Sequence, residues 1–462
     1  MRTAEASLAS ALAKRAERDP NFWSFGQQLS RRAHGHGIFQ YPAMMVPEMV
    51  EALLSTVRPF LSVDGAPRLL DPFAGSGTVL AEAMPFGFSA RGVDVNPFAI
   101  LLCRAKTGPY RMSAAKKAMA RVTAAAQSSR LRKLGVPDRV AEWYTPAVAT
   151  ALMRLRAAIR NEDDRNVRCI LWCVLAETAR LSSNSRTSTF KLHIRSRVDL
   201  DTRRVDVHKT FSELGARALA DIETHRARLA SRGHLNGNQY KYKIEILHSD
   251  IRDLSTRNCD LADLLVTSPP YGDNRSTVPY GQHSWLPASW VDLSDAQYGL
   301  VHAENPYSTD TSSLGGRVPR AFNMAADLAA RSTSFATIAS ALIDQPRDRL
   351  TRVATFIQDL DASLDPILAN TASGAPMIWV MGDRRVGGYR VPTTAILREL
   401  LESRGATCET TVTRTIAINR KRMALRNSIA DTMRHESILV MRAPFAVKVL
   451  DDAASESLEK RP

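Results

Sequence analysis

A hydroxyl, a run of carbonyls and an aromatic ring meet in one short stretch, Thr267-Ser268-Pro269-Pro270-Tyr271. Leu264-Leu265-Val266 before it reads as a buried strand of a parallel sheet. Two consecutive prolines stop that strand, because neither donates to a ladder and each restricts the residue before it. The chain therefore leaves the sheet at a strand's carboxyl end, where open α/β sheets bind ligands. The missing N–H donors leave the carbonyls around Ser268 and Pro269 able to accept from another molecule. With the Ser268 hydroxyl and the face of Tyr271, they suit a planar ring carrying an exocyclic amino group: cytosine, adenine or guanine. Taken alone, the stretch reads better as a Pro-Pro turn with a packed tyrosine.

A second stretch shifts that balance. Leu69-Leu70 starts a strand, Asp71-Pro72-Phe73-Ala74-Gly75-Ser76-Gly77-Thr78 is a glycine-rich turn, and a helix begins at Val79. Val93-Asp94-Val95 is a further strand ending in an acid, and Asp94 lies 19 residues after Gly75. Glycines let backbone approach a ligand closely, and an acid at about that distance can bind ribose hydroxyls. The third small residue of a dinucleotide fingerprint would fall at Leu80, and no Gly-Lys-Ser/Thr follows. The turn is thus built for a nucleoside without a pyrophosphate.

DPFAGSGT followed by TSPPY resembles the S-adenosylmethionine-dependent amino-methyltransferases of DNA, the cytosine-N4 and adenine-N6 family. The resemblance covers roughly residues 36 to 103 and 240 to 442. It implies an α/β fold: a Rossmann-like class I methyltransferase sheet, mostly parallel, with a terminal antiparallel hairpin. It implies S-adenosyl-L-methionine as cofactor and Ser268, Pro269, Pro270 and Tyr271 as the catalytic tetrad. Asp71, Phe73, Gly75, Gly77 and Thr78 would line the cofactor site, Asp94 would take the ribose diol, and Asp250 the adenine amine. The segment around His36 to Leu54 resembles the family's methionine-side motif, which would bring Tyr41 and Pro42 to the cofactor. The expected activity is methyl transfer to an extruded base in double-stranded DNA. Serine before Pro-Pro favours cytosine N4; adenine N6, an RNA amino-methyltransferase and a non-catalytic nucleic-acid-binding protein are the alternatives. A cognate restriction endonuclease is a candidate partner. The oligomeric state is left open.

The elements that must hold these residues divide the 462-residue chain. Residues 1–35 read as a helical extension, 36–103 as the cofactor half, and 241–446 as the catalytic half with an insertion near 292–345. Residues 447–462 read as a disordered tail. Between the halves, 104–240 is mainly helical and basic. The net charge of +15 lies within Arg104–Arg232, where 27 Lys and Arg meet 12 Asp and Glu. A charge confined to one segment beside a nucleobase-shaped site points to phosphate contacts. Arg186, Lys191, Arg195 and Arg197, in a polar stretch around Phe190, are the candidates. The loop with Tyr280, His283 and Trp285 could enclose a base by stacking. Five cysteines form no framework, and Cys169 and Cys173 read as helix packing, so no metal is expected. No apolar run reaches membrane-spanning length, and a reduced, cytoplasmic setting fits the composition.

Overall fold

Alternating apolar residues decide how the layers form. Leu69 faces one core and Leu70 the other; Leu264 and Val266 join the first while Leu265 joins the second. Ile378 and Val380 alternate in the same way with Met377, Trp379 and Met381. Such strands must be covered on both faces, which is the condition for a parallel sheet wrapped in helices.

The computed structural model describes residues 7–18, 35–128, 138–255, 260–273, 277–317, 325–416 and 435–445. The main sheet has seven strands: β1 (Arg68–Asp71), β2 (Ser89–Asp94), β3 (Ile244–His248), β4 (Leu264–Thr267), β5 (Pro376–Met381), β6 (Thr407–Thr415) and β7 (His435–Arg442). Their order is β6-β7-β5-β4-β1-β2-β3. β3 to β5 run parallel, and β7 is antiparallel to both β5 and β6. β1 pairs with β2 on one side and with β4 on the other. The strand order therefore reverses at the β1–β4 pair, and the crevice beyond their carboxyl ends is where a ligand belongs.

Helices α1 (Leu8–Arg18), α2 (Pro47–Val57), α3 (Thr78–Ala83), α4 (Pro97–Thr107), α5 (Met112–Gln127), α6 (Pro146–Arg160), α7 (Arg165–Ser182), α8 (Arg197–Thr202), α9 (Val207–Ser231) and α10 (Tyr280–Ala288) come first. All of these except the short α8 contribute to the first core. Then come α11 (Ser308–Ser312), α12 (Ala325–Arg331), α13 (Thr333–Leu342), α14 (Arg347–Ala369) and α15 (Thr393–Glu402). α12 to α15 supply the second core.

The basic stretch 104–240 does not build a core of its own. In α7, 14 of 18 residues are buried, as in a helix enclosed on all sides. Trp172, Cys169 and Cys173 belong to the same apolar cluster as Leu264 and Val266 of β4. Part of the positive charge also works inside the protein. Arg156 and Arg160 grip Asp292, while Arg168 (2.6 Å) and the Trp172 indole (2.7 Å) hold Asp295. Arg228 reaches Glu51 and Glu82. No described helix is long and apolar enough to cross a membrane.

Several elements differ from expectation in their limits. The segment with His283 and Trp285 is helix α10, not an open loop, because Asp310 accepts from the Gly281 N–H at 2.8 Å and stops its amino end. The expected disordered tail 447–462 falls outside the described residues. Asp295→Ala should strand a half-buried guanidinium and an indole N–H. It should lower stability by about 3 kcal/mol, read as a lower denaturation midpoint at unchanged slope.

Candidate active site

The cofactor turn is held from beneath by the carboxyl ends of three strands. Asp71, fully buried at the end of β1, accepts from the Phe73 N–H at 3.2 Å and from the Thr267 hydroxyl of β4 at 2.7 Å. Its second oxygen is buried and has no hydrogen-bond partner among the described residues. Burial pushes the Asp71 pKa up to about 7 against the pull of those two bonds. Gly75 (φ +50°) and Gly77 (φ +75°) then turn the chain through left-handed conformations. A Cβ on Gly77 would lie 2.8 Å from the Cys103 sulfur, so the turn sits directly on α4.

Asp94, at the end of β2, closes the turn. One oxygen accepts from the Gly75 N–H and the other from the Asn96 N–H, both at 2.7 Å. Burial raises its pKa to about 6, with the two N–H bonds opposing. Asn96 caps α4 and donates to the Tyr41 hydroxyl (3.0 Å) and to Ser284 of α10 (3.1 Å). Tyr41 and Tyr280 lie 5.8 Å apart, centroid to centroid. Beside them Ala43, at φ +49°, is the one non-glycine residue with positive φ among those described. Strain of that kind, of order 1 kcal/mol or more, gathers at ligand clamps.

Together these elements enclose a pocket of about 880 Å³, open mouth included. Seven of the nine expected cofactor positions form its walls: Tyr41, Pro42, Phe73, Gly75, Thr78, Asp94 and Asp250. Asp71 and Gly77 stand behind the wall and shape the turn instead. Of the tetrad, Ser268 and Pro270 line the pocket, whereas Pro269 is buried and Tyr271 lies to the side. Asp250 caps the short turn Ile251–Asp253, and both its oxygens meet Arg252, which also binds Asp359 at 2.7 Å.

A buried polar chain behind the turn has no counterpart in the sequence reading. The Lys106 ammonium donates to Ser76 at 3.2 Å and meets His36 Nδ1 at 3.3 Å. His36 Nε2 meets Glu82 at 2.9 Å, and Glu82 meets Arg228. Burial lowers the Lys106 pKa to about 8. His36 is 1 % exposed. Its partners lie 46 and 70 residues away, and no local spacing announces such a pairing.

Arg186, Lys191 and Arg195 stand on or beside a small hairpin, and Arg197 begins α8. Ser185 pairs with Ile194, the Arg186 N–H donates to the His193 carbonyl at 2.8 Å, and Phe190 packs on His283 of α10. Arg186, Lys191 and Arg197 are exposed and Arg195 is half-buried; Arg197 also pairs with Asp201. His283 in turn meets the Gln40 carbonyl at 2.8 Å, which ties the hairpin to the rim beside Tyr41.

The pocket fits S-adenosylmethionine. A doubly held carboxylate at a strand end can take both ribose hydroxyls. A glycine whose Cβ would stand 3.6 Å from the Tyr41 ring leaves the cradle clear. Val95, Ile251, Met44 and Met45 supply apolar walls. Among the described residues no group of His, Cys, Asp and Glu could hold a metal ion.

This strand order, with one antiparallel strand inserted next to the edge and the pocket at the β1–β4 switch, is the Rossmann-like class I methyltransferase fold. No family model matches the chain. Over 381 residues it is 26% identical to the Type II methyltransferase M.MvaI of Kocuria varians, covering 79% of this chain and 81% of that protein. A shorter stretch of 87 residues is 37% identical to the Type II methyltransferase M.MjaII of Methanocaldococcus jannaschii, 19% of this chain and 16% of the relative. Among solved structures, the rRNA methyltransferase aviRa of Streptomyces viridochromogenes aligns with a TM-score of 0.33 at 11% identity, over 90% of this chain and 94% of the other. TrmN of Thermus thermophilus aligns at 0.31 and 10% identity, over 90% and 53%. At such scores the strand order itself carries the fold assignment.

Two raised carboxyl pKa values set a pH dependence. A cationic cofactor favours ionised Asp71 and Asp94, so its Kd should weaken as pH falls through about 7 and 6. Calorimetric titration at pH 8 and pH 5.5 should differ roughly tenfold. Without cofactor the sign reverses for stability. The folded state binds these protons more tightly than the unfolded chain, so stability should fall as pH rises from about 4 to about 7.

Proposed function

We propose that this chain is an S-adenosylmethionine-dependent DNA methyltransferase acting on the exocyclic amino group of an extruded base, cytosine N4 in the first instance. The observation that carries the reading is the shared wall. Ser268 and Pro270 border the same pocket as Gly75 and Asp94, so an amino-group acceptor faces a nucleoside cradle. Similarity to a Type II methyltransferase along four-fifths of both chains supports DNA as the substrate. It also supports a role in restriction–modification, for which a cognate endonuclease is the candidate partner.

The bound cofactor supplies an electrophilic methyl group on a sulfonium centre. The chain's own residues do the rest. Arg186, Lys191, Arg195 and Arg197 hold phosphates near the rim. The base leaves the stack at a cost of a few kcal/mol. Ser268 and the Ser268 or Pro269 carbonyl accept hydrogen bonds from its two amino hydrogens, which turns the nitrogen lone pair towards the methyl group, and after transfer the amino nitrogen loses one proton to water. An aromatic amine is a poor nucleophile because its lone pair is delocalised, so orientation supplies most of the acceleration. Serine at position 268 favours cytosine; adenine N6 is the alternative that uses the same geometry.

Nucleoside mass spectrometry of DNA from cells expressing the protein tests this reading. N4-methylcytosine with the wild type and none with Ser268→Ala is the expected result. In vitro, Ser268→Ala should reduce transfer at least about a hundredfold while cofactor affinity stays within twofold. N6-methyladenine would change the base and keep the mechanism; absence of both from DNA would overturn the reading.

A further inference from the structure

Tyr271 is tied at its hydroxyl. That group lies 3.3 Å from the Ser268 hydroxyl and donates to Glu436 Oε1 at 3.1 Å. The other Glu436 oxygen accepts from Arg414 Nε at 2.7 Å, directly across the β6–β7 hairpin. Arg414 is 6% exposed and Glu436 13%. The antiparallel course of β7 explains how a residue 165 positions after Tyr271 reaches it. Ser437 pairs with Met381 at the carboxyl end of β5, so Glu436 stands just beyond the edge at which Ser268 leaves the sheet.

The polarity of this chain of bonds is fixed by its far end. A carboxylate held by a guanidinium has only lone pairs to offer. Tyr271 must therefore donate to it, and burial together with the Glu436 charge keeps the Tyr271 hydroxyl protonated. The phenol oxygen then offers lone pairs to Ser268, so Ser268 gives its single hydrogen to Tyr271. What Ser268 turns to its other neighbours is lone pairs, and it borders the cofactor pocket. An unfixed hydroxyl would divide its time between donor and acceptor orientations, and the donor orientation opposes an amino group.

Building on the methyltransferase reading, we infer that Glu436 is a positioning residue. Acting through Tyr271, it holds the Ser268 hydroxyl as a hydrogen-bond acceptor for the amino group of the target base. The arrangement also disfavours a base with a carbonyl at that position, because lone pair would face lone pair.

Single-turnover methyl transfer into unmethylated plasmid DNA tests the inference, with cofactor affinity measured on the same proteins. Tyr271→Phe removes one oxygen and cuts the relay; Glu436→Gln keeps the shape and lets the terminus donate. Each should slow transfer about tenfold or more with cofactor Kd within twofold. The double variant should be no slower than the slower single one, since the two groups act as a unit. A wild-type rate for Tyr271→Phe, or losses that multiply in the double variant, would overturn the inference. If Glu436→Gln is unstable, Tyr271→Phe decides, with retained cofactor affinity showing that it is folded. A wild type that methylates no DNA defeats the functional reading and this inference together; an active wild type with indifferent variants defeats the inference alone.

Discussion

The Asp94 carboxylate is the constraint on which the site depends. Each of its oxygens is bound to one backbone N–H, one from the glycine turn and one from the start of α4. That pair of bonds sets the distance between two loops leaving neighbouring strands. Asn96, placed by the second bond, in turn positions Tyr41 and α10. The carboxylate accepts this desolvated position because its two N–H donors offset much of the cost of burial. Moving it would shift the floor, the back and the roof of the pocket together.

What could be read from the chain was what lies close in sequence or repeats along it. The turn from Asp71 to Thr78 and the acid 19 residues after Gly75 are local devices, and the structure joins them through the Gly75 N–H and the Asp94 carboxylate. The proline pair after Thr267 ends β4, as residues without N–H donors must. The alternation of apolar residues in β4 and β5 announced a sheet covered on both faces. Pairings between distant segments could not be read. Lys106, His36 and Glu82 meet only because α3, α4 and the loop before α2 converge behind the turn. Each alone looks like a surface residue, and together they satisfy one another in the interior. Asp71 was legible as part of the glycine-rich turn but not its place behind the pocket wall.

Charge counting overstated the freedom of the basic segment. The arginines of α6 and α7 that face Asp292 and Asp295 act as internal clamps, and Arg228 does the same for Glu51 and Glu82. A formal count cannot tell a paired guanidinium from a free one when its partner lies over a hundred residues away. The hairpin around Phe190 keeps exposed bases and is braced against α10. Net charge of a segment is thus a statement about its long-range field, and only the fold divides that field between scaffold and surface.

The antiparallel strand β7 has a consequence for the order in which the protein comes into being. During synthesis the tetrad leaves the ribosome long before Glu436, and domains form as their segments emerge. A nascent chain ending before β7 has the glycine turn and the proline pair in its sequence yet lacks the carboxylate that accepts from Tyr271. The strand that emerges after all the others of the sheet therefore brings the Glu436 carboxylate to Tyr271, and that contact exists only once β7 has paired with β5.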